Sequence, residues 1–191
     1  MMKGSIIALL IFALCSFQQS DVGKIMWSKD KKISWSDFKG AVDENDEYKA
    51  RSCIKIVQNE NYKFKGSILT ATIDVRATFN PNCSWARLEI KEDVSLLSHE
   101  QGHFDIAEIY ARKLRKALKE LPSSSGIIAE NNISNLIDKY CAGMDSEGTL
   151  YDTETNHSQD VKKQQEWNAK IIKHLKELEA FVDASPIIII R

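Results

Sequence analysis

Proline is scarce in this chain, with three residues, and glycine reaches only eight among 191. Collagen-like and low-complexity linker segments are thereby excluded. Four cysteines are too few to build a fold held together by disulfides. No sign of charge prevails: 26 Lys and Arg stand against 27 Asp and Glu, a net charge of −1. The basic footprint of a nucleic-acid binder is missing, and no nucleic-acid partner is expected. No apolar run reaches the about 20 residues that cross a bilayer. What remains is a globular composition, 43% apolar and 28% charged, at a length that suits one domain of ordinary size.

The first twenty residues read as a leader. Lys3 precedes an apolar run from Ile6 to Leu14, and Gln18, Gln19, Ser20 and Asp21 end it abruptly. This is the layout of a secretory signal peptide, with cleavage expected near residues 18 to 20; a retained short membrane anchor is the alternative. Residues 1–20 are thus expected to be removed, 21–185 to form one domain, and 186–191 to be a tail, with no stable membrane insertion after cleavage. The product is exported, to the periplasm or beyond. Export leaves Cys53, Cys83 and Cys141, an odd number, so one bridge at most forms within the chain. Cys53 with Cys83 is the first pair to test, since both lie in the strand-rich half; three buried thiols are the alternative.

Hydrophobic periodicity divides the remainder. Leu69, Ala71, Ile73, Val75, Ala77 and Phe79 alternate strictly with polar residues, which is the period of a half-buried strand. Ile54 with Ile56, and Ala86, Leu88 and Ile90, are weaker partners, with Asn80-Pro81-Asn82 as a turn. A small antiparallel sheet of three or four strands is expected. From Asp93 the spacing becomes helical, through Leu96, His99, His103, Ile106, Tyr110, Ala117 and Leu121 up to Pro122. Further helices are expected over 127–140 and 160–182, separated by a loop at 141–149 that contains two glycines. The fold class is α+β, a small antiparallel sheet packed on a long helix and followed by two more helices.

The chemistry lies in His99-Glu100-Gln101-Gly102-His103. Residues four apart share one helix face, so both imidazoles can reach one ion. A catalytic zinc takes three protein ligands and a water, and Glu100, beside the first ligand, is placed to accept that water's proton. His99 and His103 share an arc of roughly 80° with Ile106, Tyr110 and Leu114 and so point at the core. Glu108 lies about 160° away on the same wheel, where it is expected to face solvent and pair with Arg112. Asp105 also points away. The third ligand must come from a later segment. His174, flanked by Lys173 and Lys176, reads as a surface imidazole. His157, in the polar stretch Tyr151-Asp152-Thr153-Glu154-Thr155-Asn156-His157, is the choice for third metal ligand, with Glu154 as runner-up. Tyr151 is a candidate catalytic group for stabilising an oxyanion, with simple packing as the alternative.

The stretch Leu97 to Glu108 around that motif, Tyr151 to His157 downstream, and Ile33-Ser34-Trp35-Ser36-Asp37-Phe38 upstream together resemble DUF922, a bacterial family of secreted proteins described as predicted zinc-dependent proteases. The resemblance runs from about Trp35 to Trp167. It implies a zincin-like arrangement, a small sheet over the H-E-x-x-H helix, with Zn2+ as cofactor and a peptide or protein as substrate. An exported zinc metallopeptidase is the function expected. The alternative is a catalytically inactive zinc-binding or protein-interaction module of the same fold, since so short a mature chain leaves little to build a deep cleft. The strand nearest the helix is expected to pair with an extended substrate.

Overall fold

The computed structural model describes residues 23–65, 68–90, 92–183 and 185–190, and the expected leader lies outside them. Strands β1 (Ile25–Met26), β2 (Ala50–Arg51), β3 (Ile54–Lys65), β4 (Ile68–Phe79) and β5 (Trp85–Ala86) precede three helices, α1 (Val94–Lys119), α2 (Gly126–Thr155) and α3 (Val161–Glu177), and a last strand, β6 (Ile187–Ile190). The α+β class, with antiparallel sheet and three helices, is as expected. No described helix is long and apolar enough to cross a membrane.

β4 is the spine of the main sheet. It pairs with β3 along its full length, from Ile54 opposite Phe79 to Lys65 opposite Ile68. Its other edge takes β1 near Phe79 and β6 near Leu69. The alternation read in the sequence is the sheet's two faces: Ala71, Ile73, Val75, Ala77 and Phe79 are all buried, and α1 lies across them with Phe104, Ala107, Ala111, Leu114 and Leu118. β3 is far longer than Ile54 and Ile56 predict. Its outer half is solvent-exposed, Tyr62 and Phe64 included, and backbone pairing to β4 defines it.

Two expectations about the sheet and its tail change. Ala86, Leu88 and Ile90 do not form one strand. Trp85–Ala86 pairs with β2 in a separate two-stranded sheet, and Leu88–Ile90 is a 3-10 turn that leaves Leu88 81% exposed. The tail isoleucines, for which the sequence offered no role, complete the sheet as β6. Cys53 and Cys83 are bridged, with Cα atoms 5.8 Å apart, and Cys141 is free and half-buried. The upstream aromatics pack on the core: Trp35 opens a 3-10 turn that Phe38 closes, and Phe38 meets Phe79 edge-on at 5.1 Å.

The helices hold the largest departure. Asp93 caps α1, its Oδ1 accepting from the Leu96 N–H at 2.9 Å, and basic Lys116 and Lys119 sit in the last turn, where the helix dipole favours them. The expected loop at 141–149 does not exist: α2 runs unbroken for 30 residues. Its Gly143 is a contact residue, because a Cβ there would come within 2.6 Å of the Tyr110 ring on α1. Gly143→Ala therefore opposes two effects. Helix propensity gains about 1 kcal/mol, while overpacking costs about 1–3 kcal/mol. Net destabilisation of up to about 2 kcal/mol is expected in urea unfolding, and a variant more stable than wild type would refute the close crossing.

Glu108 is corrected as well. It pairs with Arg112 at 2.8 Å as expected, but it is 2% exposed and also binds Arg115 at 3.0 Å. A wheel with one buried face fails here because the sheet covers one side of α1 while α2 and α3 cover others.

Candidate metal centre

α1 presents His99 and His103 one turn apart, and the last turns of α2 cross in front of them. His99 Nε2 lies 3.0 Å and His103 Nε2 2.8 Å from the same oxygen, Asp152 Oδ1. These three side chains are the one group among the described residues whose His, Cys, Asp or Glu ligand atoms converge, all within 4.8 Å of one another. In a tetrahedral site with bonds of 2.0–2.2 Å, ligand atoms stand roughly 3.3 Å apart. The two imidazole-to-carboxylate distances need to open by only a few tenths of an ångström to admit an ion, and two imidazoles with one carboxylate are a donor set for a divalent metal.

The tautomer of His99 follows from its neighbours. Gln164 Nε2 donates to Asn168 Oδ1 at 2.9 Å and to the Tyr151 hydroxyl at 2.5 Å. Gln164 Oε1 is thus the atom that faces His99 Nδ1, at 3.1 Å. An amide oxygen only accepts, so Nδ1 carries a proton; Nε2, which meets Asp152 Oδ1, is the nitrogen whose lone pair a metal would take once its own proton is lost. The His99 ring, 2% exposed, is further held by stacking on Tyr151 at 4.5 Å. Gln164→Leu is expected to weaken metal affinity roughly 10–100-fold, the usual cost of losing an outer hydrogen-bond partner. Zinc titration against a chelating dye measures it, and unchanged affinity would remove Gln164 from the site.

Electrostatics agree with a cation-binding corner. Burial disfavours an ionised Asp152, yet the hydrogen bonds and charges of His103 and His99 outweigh it and hold its carboxyl far below the ordinary carboxylate range. Burial likewise disfavours a charged His103, but the Asp152 hydrogen bond and the charges of Asp152 and Glu100 prevail and raise its pKa.

Asp152 occupies the place expected of His157. The His157 imidazole stands beside the trio, with Nδ1 3.7 Å from Asp152 Oδ1 and its ring against Tyr48 at 4.9 Å. Glu154, the runner-up, accepts from Trp167 Nε1 at 2.8 Å and ties α2 to α3. Tyr151 does not reach the cavity. It is fully buried behind His99, donates to the His99 carbonyl at 3.3 Å, and burial above all raises its pKa, so it stays a neutral phenol. Gly102 makes room for it: a Cβ there would collide with the Tyr151 hydroxyl. Asp105 lies outside the trio and the cavity lining, as expected, and accepts from Trp27 Nε1 at 2.7 Å and from Lys32 and Gln101. His174 lies on α3 outside the cavity.

The signal for Asp152 was in the spacing. Asp145, Gly148, Thr149 and Asp152 all line the cavity, at the i, i+3, i+4, i+7 positions of one helix face. Reading 141–149 as a loop hid that stripe.

The trio opens into a cavity of about 850 Å³. The segment 47–52 forms one wall; α1, the stripe of α2 and the His157 turn form the others. So short a chain does build a sizeable cleft. Glu100 is 6% exposed, lines this cavity next to His99, and accepts a hydrogen bond from Ser52 Oγ. The turn after α2 is conformationally costly: Asn156, His157 and Ser158 have φ of 47°, 49° and 72°. Left-handed backbone at non-glycine residues persists where surrounding structure enforces it, and it clusters at functional sites.

A family described as "Bacterial protein of unknown function (DUF922)" matches residues 68–158. That span runs from the first residue of β4 to the end of the His157 turn and includes His99, Glu100, His103 and Asp152. The upstream stretch 33–38 lies outside it. No curated protein and no solved structure matches the chain.

Proposed function

We propose that this chain, whose residues 68–158 match the DUF922 family, is an exported zinc-dependent peptidase. The observation that carries this reading is the convergence of His99, His103 and Asp152 on one corner of a cavity that Glu100 also lines. His99 Nε2, His103 Nε2 and Asp152 Oδ1 would hold the zinc. When bound, zinc supplies a Lewis acid for a substrate carbonyl and acidifies water. Glu100 takes a proton from the attacking water and returns it to the departing amide nitrogen. Glu100 therefore keeps the role its place in the motif predicts, while the third ligand passes from His157 to Asp152. His157 and Tyr48 form part of the cavity wall, where they contact substrate rather than metal.

The cavity favours an extended peptide. β2 pairs with β5 along one edge, and no described strand pairs with the other. Ala50, Arg51 and Ser52 line the cleft, so the free edge is available to a substrate strand. The Cys53–Cys83 bridge and the leader-like residues 1–20 support export, because disulfides persist in oxidising compartments. A digest of a broad peptide library by the zinc-loaded protein tests the reading. Chelator-sensitive cleavage is expected. Intact peptides together with tight zinc binding would replace the enzyme with a binding module of the same fold.

A further inference from the structure

The partner of the Glu100 carboxylate among the described residues is Ser52, whose Oγ donates to Oε2 and leaves Oε1 without a protein hydrogen bond. The contact spans 48 positions of sequence, so helix geometry does not create it. Ser52 is held from both sides. Before it, Ala50 and Arg51 stand in register with Ala86 and Trp85. After it, the Cys53 N–H donates to Ser84 Oγ at 2.9 Å, the Cys53 carbonyl accepts from the Asn80 N–H at 2.9 Å, and Cys53 is bridged to Cys83. Ser84 Oγ in turn donates to the Asn80 carbonyl at 2.8 Å. A short loop with this many fixed points presents its hydroxyl in one place.

From this geometry we infer that Ser52 is a positioning residue for Glu100: it clamps one carboxylate oxygen so that the other is aimed at the water. The inference rests on the peptidase reading above. A glutamate side chain has several rotatable bonds, and a base must hold hydrogen-bond reach of its proton to be effective. Ser52 acts through Glu100, the side chain its hydroxyl meets.

The test uses zinc-loaded wild type, Ser52→Ala, Ser52→Thr, Glu100→Gln and the double variant Ser52→Ala with Glu100→Gln, on one peptide that wild type cleaves. Ser52→Ala is expected to lower kcat roughly 10–100-fold, as misplacement of a reacting group does, with KM and zinc content unchanged. Ser52→Thr, which keeps the hydroxyl, is expected to restore most of the rate. In the Glu100→Gln background, Ser52→Ala is expected to cost nothing more, since residues that act as a unit are not additive. A crystal structure of zinc-loaded Ser52→Ala is expected to show the Glu100 carboxylate displaced or in several positions, with β2 and the disulfide unmoved. Retention of kcat within about twofold in Ser52→Ala, or an equal added loss in the Glu100→Gln background, overturns the inference. A wild type that binds zinc but cleaves nothing sinks the peptidase reading instead; the position of the Glu100 carboxylate in the Ser52→Ala crystal then decides whether Ser52 holds it.

Discussion

Glu100→Gln is expected to leave zinc bound and to lower turnover roughly 10²–10⁴-fold, to a residual rate. The amide matches the carboxylate in size and still meets the Ser52 hydroxyl with its oxygen, so the fold and the ligand trio stay intact. What it loses is the ability to accept a proton. A positioned general base contributes roughly 10²–10⁴-fold, and a loss of that order in kcat is the expected result. Glu100 is not one of the three converging ligands, so metal content by elemental analysis should equal that of wild type. Peptide cleavage at the wild-type rate by Glu100→Gln would exclude Glu100 as the base.

The second large effect belongs to Asp152. Its Oδ1 is the atom that both imidazoles share, and it comes from a different helix. Asp152→Ala leaves two imidazoles on one turn of α1 and no third donor. Zinc affinity should fall by more than the roughly 10–100-fold that an outer-sphere partner costs. A thermal readout isolates the metal contribution. At zinc concentrations near 100 times the dissociation constant, binding stabilises the folded state by about 2.7 kcal/mol, which raises Tm by roughly 5–10 °C in a domain of this size. Wild type and His157→Ala should both show this zinc-dependent increment, and Asp152→Ala should show little of it. Comparing increments rather than absolute Tm values removes any effect of the substitution on the metal-free fold. If His157→Ala loses the increment and Asp152→Ala keeps it, the imidazole is the third ligand after all.

These outcomes separate what local pattern encodes from what the fold adds. The H-E-x-x-H face was readable because 3.6-residue periodicity alone brings His99 and His103 together and sets Glu100 beside them. The β4 strand was readable because one of its faces is covered and the other is not, so burial writes itself into alternating residues. Both are short-range rules. The turn at Asn80-Pro81-Asn82 belongs with them; the bridge between Cys53 and Cys83, one of two alternatives for these thiols, joins residues 30 positions apart.

Elements whose logic is tertiary were not readable in this way. Gly143 and Gly148 resemble loop punctuation until α1 is placed against α2, where Gly143 meets Tyr110 and Gly148 faces His103. Glu108 looks solvent-facing until helices cover that side of α1 and Arg115 turns in to bind it. Asp152 is one acidic residue among several in its stretch until an unbroken α2 carries it over the two imidazoles. The sequence by itself determined the chemistry, two imidazoles and a carboxylate on one helix, because neighbours on a helix are neighbours by geometry. Only the tertiary structure decided which side chain converges on the two imidazoles and which hydroxyl meets Glu100, because those contacts join segments about 50 positions apart and depend on how closely helices and strands pack.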